Sequence, residues 1–146
     1  MNERAKKILH FWFNQTSHKE RFSKNEAFDQ KIRAIFFDDY QKAKKIAIEA
    51  INYRYHEKLN QDQIMFIFLP FMHSEDFEDQ IYCGQLIDNY FKDNPNYEQA
   101  KKYSIIHKDI IEKFGRFPYR NKVLKRVSTK EEVIYLKSTH HDFFNI

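Results

Sequence analysis

An imidazole and a carboxylate stand two residues apart at His73 and Glu75, in the stretch PFMHSEDFEDQ, with the hydroxyl of Ser74 between them. At that spacing the pair can share acid–base work or enter a metal's coordination shell. The same residues also suit a helix start. Ser74 would cap it, Glu75, Asp76 and Glu78 would answer the macrodipole, and His73 would fill a gap. Exposed backbone N–H groups at such a start favour anions.

His107 shares a helical face with Ile110, Ile111 and Phe114. That is the pattern of a hydrogen-bonded core histidine. Set against the HSE turn, however, His73, Glu75 and His107 become a candidate catalytic trio drawn from separate helices.

The third group is GRFPYRN, residues 115–121. Gly115 suits a left-handed helix stop, Phe117 returns an aromatic ring to the core, and Pro118 keeps the helix from resuming. Arg116 and Arg120 therefore leave a rigid corner in fixed directions. A buried, unpaired guanidinium would cost several kcal/mol, so each needs an acid, a carbonyl or a bound anion. Glu75, Asp76 and Asp109 are the internal candidates, and Asn121 can orient either arrangement. Two outcomes stay open: a structural Arg–carboxylate network, or a ligand site built from Ser74, Arg116, Arg120 and Asn121 for a phosphate or carboxylate.

These groups need a frame, and the composition indicates a helical one. The 146 residues are expected to form a single domain. Only two glycines and three prolines set against many Lys, Glu, Gln and Asn favour helices, while 15 Phe and 9 Tyr supply the core. With a net charge of +4 and alternating signs there is no evident basic face, which argues against nucleic acid as a partner. Cys83, the one cysteine, is read as packed and can make neither an internal disulfide nor a thiolate zinc site. MNERAKKILHFWFNQ is too interrupted for a signal peptide, and no run approaches the ~18 apolar residues of a membrane span. The expectation is a soluble cytoplasmic protein with no membrane partner.

Apolar spacing predicts a helix over 3–14 and a long one over 23–55 opened by a Ser23–Glu26 capping box. A buried helix begins at Asn60, with Gln63 three residues on, and Pro70 should end or kink it. Ser74 opens the next, a further helix covers 97–114, and a short one is expected over 121–126. A Ser128–Glu131 box opens the last. No segment alternates with period two, so the fold class is all-α.

ILHFWF, FDQKI at 28–32, FLPFMHSED at 68–76 with Gln80, and IIHKDIIEKFGRFPYRN at 105–121 followed by LKRVSTKEE together resemble a bacterial and organellar family, domain of unknown function 924. The resemblance implies an all-α, tetratricopeptide-like superhelical fold and brings no established activity. It places His73, Ser74, Glu75, His107, Gly115, Arg116, Phe117, Pro118, Arg120 and Asn121 in the family's shared cluster. Two departures stand out. Tyr119 occupies a position where the family usually has histidine, and RAIFFDDYQKAKKIAIEAI runs across a central segment that other members carry. A shortened member would expose packing surface, so a homo-oligomer or a protein partner is expected.

Three functions compete. The leading one is a non-catalytic helical binding or scaffold module whose Arg/His/Glu cluster accepts a small anionic ligand or peptide, with no metal or cofactor assigned. The second is a small hydrolase or transferase using His73, Glu75 and His107, with Arg116 and Arg120 as an anion clamp. The third is RNA binding.

Overall fold

Asn60 and Gln63 start a helix by exchanging hydrogen bonds. Gln63 N donates to Asn60 Oδ1 at 2.9 Å, and Asn60 N donates to Gln63 Oε1 at 3.2 Å. This reciprocal cap satisfies two N–H groups that the first turn leaves without intrahelical partners. It belongs to the second of five α-helices among the described residues of the computed structural model, which are 40–122 and 124–138, without the side chains of 40–42 and 62. These residues contain no strand, so the fold is all-α as the sequence indicates. The chain divides between Pro70 and Phe71 into two compact units.

In the first unit, α1 (Tyr40–Asn52) buries Ala47 and Ala50. The chain leaves it through Arg54 in the left-handed region (φ 56°), and a 3-10 turn follows over Tyr55–Lys58. The helix expected over 3–14, the Ser23–Glu26 box and the part of the long helix before residue 40 lie outside the described residues. The next helix, α2 (Gln61–Met72), buries Ile64 and Phe68. Pro70 sits in its last turn, where the missing N–H costs one bond near an end that is already giving out, and the helix stops two residues later.

In the second unit, α3 (Phe77–Tyr90) is capped by Asp76, whose Oδ1 accepts from Glu78 N at 3.0 Å. This corrects the expectation that Ser74 would cap. Ser74 Oγ instead accepts from Asp76 N at 3.1 Å and donates to Asp79 Oδ2, so it fixes the turn ahead of the helix. The next helix, α4 (Tyr97–Phe114), ends on Gly115 at φ 68°, the left-handed stop read from the sequence. Asp88 meets Tyr97 and Lys101, while His73 meets His107. The pairs run in opposite chain directions, so α3 and α4 form an antiparallel hairpin.

Pro118–Arg120 is a 3-10 turn, and Lys125 at φ 53° turns the chain so that Arg126 N reaches Asn121 O at 2.8 Å. The short helix expected over 121–126 does not form among the described residues there, where left-handed Lys125 cannot continue a right-handed helix. Thr129 opens α5 (Lys130–Ser138). Glu132 N donates to Thr129 Oγ1 at 3.1 Å, and Thr129 N donates to Glu132 Oε2 at 2.8 Å. The capping box thus lies one residue beyond the expected Ser128–Glu131 pair. Ile110, Ile111 and the fully buried Phe117 form the core here, with Phe77, Phe114, Tyr119 and Tyr135 packed against them. Deleting the Phe117 ring would cost about 3–5 kcal/mol, which measures how firmly the corner is anchored.

Candidate functional site

Gln80, buried on α3, begins the site from behind. Its Nε2 donates to the carbonyls of Met72 and Ser74 at 2.7 and 2.6 Å and lies 3.3 Å from that of Phe71. Those carbonyls have no intrahelical partner where α2 runs out, so one amide holds the HSE turn in shape. The turn then presents Glu75 to the corner that follows α4.

Glu75 is held there by three donors. Phe117 N donates to its Oε1 at 2.9 Å, Arg126 Nη1 to its Oε2 at 2.8 Å, and Arg126 Nη2 to its Oε1 at 3.0 Å. Arg120 Nη1 stands 3.8 Å from Oε1, an ionic contact beyond hydrogen-bond length. Burial alone would raise the Glu75 pKa. The Arg126 and Phe117 hydrogen bonds, with the charges of Arg126 and Arg120, outweigh it and hold the carboxyl below its ordinary value.

Behind this pair lies a second one. Arg116 grips Glu132 through Nε at 2.7 Å and Nη2 at 2.8 Å, and Nη2 also donates to the Val127 carbonyl. Hydrogen bonds from Arg116 lower the Glu132 pKa to about 2, against the opposing effect of burial and with help from Thr129 N and Asn121. Asn121 joins the two pairs. Its Nδ2 donates to Glu132 Oε2 and Ser128 Oγ, both at 3.1 Å, and its Oδ1 accepts from Arg126 Nε at 2.9 Å. Forked Arg–carboxylate pairs of this kind fix direction as well as charge.

Arg120 is arranged differently. Its Nη2 donates to the His73 carbonyl at 3.0 Å, and its guanidinium lies 4.4 Å from the Phe117 ring centre and 5.8 Å from that of Tyr119. The rings of His73 and His107 meet edge-on at 5.2 Å, and His107 meets Phe117 at 5.5 Å. His107 Nδ1 donates to the Tyr103 carbonyl at 2.8 Å, which makes Nδ1 the protonated nitrogen of the neutral ring. Burial drives its pKa down to about 4 against that hydrogen bond, with Arg120 adding to the fall.

All the residues singled out in the two turns, and His107 with them, thus gather in the second unit. Asp76 and Asp109, expected as possible arginine partners, are engaged elsewhere: Asp76 caps α3, and Asp109 pairs with Lys108. No group of three His, Cys, Asp or Glu side chains among the described residues is placed to hold a metal. Sequence reasoning missed Arg126 and Glu132. Arg126 carries no motif of its own in the sequence, yet it supplies the fork on Glu75. Glu132 was one of two adjacent acids, and only its cap geometry singles it out.

An all-helical protein with two turns clamped by paired guanidiniums and carboxylates is what fold and site define. The family model described as "Bacterial protein of unknown function (DUF924)" matches residues 35–140, and the chain belongs to that family. Among solved structures it is similar to the protein of unknown function ATU0120 from Agrobacterium tumefaciens, at 26% identity and a TM-score of 0.66. That match covers 92% of this chain and 97% of the other. No curated protein matches the chain.

Proposed function

We propose that the protein is a non-catalytic helical binding module, tetratricopeptide-like in its stacking of antiparallel helices, in which Arg120 meets an anionic group of the ligand. The observation that carries this reading is a convergence of cationic side chains. Three guanidiniums, of Arg116, Arg120 and Arg126, converge on two carboxylates, those of Glu75 and Glu132. Two grip these carboxylates in forks, and the third, Arg120, stands 3.8 Å from Glu75 against a wall of Phe117 and Tyr119. A phosphate or carboxylate offers the oxygen geometry that a guanidinium matches.

The protonation states favour binding over hydrolysis. A general base should titrate near the working pH and have its acceptor within reach of the proton. Glu75 has both oxygens engaged by donors and is held below its ordinary value. His107, at about 4, is a weak base at neutral pH. The site is better suited to holding charge than to moving protons.

Isothermal titration calorimetry with inorganic phosphate, succinate and a short peptide bearing a free C-terminal carboxylate tests the reading. Binding of at least one is expected, weakened about tenfold or more by Arg120→Gln, the scale of one lost charge-assisted hydrogen bond. Silence from all three, or R120Q binding like wild type, would refute it.

A further inference from the structure

We propose that the outward face of α5 is where two copies of this chain pair, side by side and parallel, about a two-fold axis running along the helices. This contact is separate from the anion-binding reading and stands or falls without it.

The helix turns one side toward its own unit. Glu132, exposed by only 2%, is gripped by Arg116, and the Tyr135 ring packs on that of Phe114 at 5.0 Å. Ile134, two residues past Glu132 and so on the far side of the helix, is 66% exposed. Just ahead of the helix Val127 is 88% exposed, although Arg116 Nη2 holds its carbonyl at 2.9 Å. One exposed isoleucine is ordinary on a protein surface. The charges around this one are what give it a partner.

Spacings of four and three set Lys130 and Glu131 on the Ile134 face, one on each flank. Lys137, seven residues after Lys130, returns to the lysine flank, and Ser138, seven after Glu131, returns to the glutamate flank. All four side chains are exposed. Among the described residues no ion pair engages Lys130, Glu131 or Lys137.

A basic flank and an acidic flank on either side of an apolar centre make the face complementary to itself. A two-fold axis parallel to α5 lays the lysine flank of each copy on Glu131 of the other and sets Ile134 against Ile134. Antiparallel pairing would oppose lysine to lysine, and like charges brought together count against it. The contact is small. Nine helical residues offer less than the ~800 Å² that each partner brings to a standard interface, so the dimer is weak, with a dissociation constant on the order of 100 µM.

Sedimentation equilibrium of the full chain from about 10 µM to about 1 mM tests this, each variant first shown to be folded by circular dichroism. Wild type should climb from monomer toward dimer mass across that range. Ile134→Glu should weaken association about tenfold or more. Glu131→Lys makes both flanks basic, and Lys130→Glu puts an acid on each. Either alone should self-associate about threefold or more weakly, the scale of exposed ion pairs lost and reversed. Mixed in equal amounts, E131K and K130E present opposite charges to each other and should associate to within about twofold of wild type. General apolar stickiness would respond to I134E but would show no rescue on mixing.

A wild type that stays monomeric throughout, an I134E variant that associates like wild type, or a mixture no tighter than its components would each overturn the proposal. If I134E does not fold, the two charge variants and their mixture decide it by the same rule.

Discussion

Burial and the Tyr103 carbonyl act on His107 in opposite directions, and burial prevails, taking its pKa from the ordinary 6.5 to about 4. Between those values the unfolded chain binds the proton that the folded one refuses, so stability rises with pH. The contribution is present in full above 6.5 and is lost as pH falls toward about 4; it is on the order of 3 kcal/mol at most. Glu132 behaves alike one window lower. Its carboxyl, at about 2 instead of 4.5, contributes fully above 4.5 and loses that contribution as pH falls toward about 2. Glu75 is shifted in the same direction and adds to the acid side. Urea midpoints measured from about pH 8 to about pH 3 should therefore fall in two stages. His107→Gln should flatten the upper stage and Glu132→Gln the lower. An upper stage that persists undiminished in H107Q would assign it to another group.

Capping chemistry decides the start of α5, and there the sequence holds two equivalent answers. Ser128 with Glu131 and Thr129 with Glu132 have the same spacing, and only the geometry selects the second. Thr129→Ala should cost about 1 kcal/mol of unfolding free energy in denaturant titrations. Ser128→Ala, which removes one acceptor from Asn121, should cost less. The reverse order would contradict the assignment. Much of the helix layout was legible because local chemistry fixed it: Asn60 with Gln63 at one start, and Gly115 at one stop. The start of α3 was less so, since Ser74 and Asp76 are both good caps and burial of the Ser74–Asp79 contact settles which one serves. The site was legible as two turns that should meet. Which arginine takes Glu75 was not, because the choice among Arg116, Arg120 and Arg126 depends on a left-handed residue at Lys125 and on contacts between distant segments.

Across the second unit, the acidic turn after α2, the cationic corner after α4 and the start of α5 are one connected polar structure over an aromatic core. Such networks are costly when half satisfied, and here one asparagine links both carboxylate pairs. Membership in the family carries no activity with it, so what this arrangement does rests on its own geometry. A double-mutant cycle of Glu75→Ala and Arg126→Ala, read from denaturant unfolding at neutral pH, tests the clamp most directly. The account predicts a favourable coupling of about 1–3 kcal/mol between the two side chains. Additive losses, with no coupling beyond error, would contradict it.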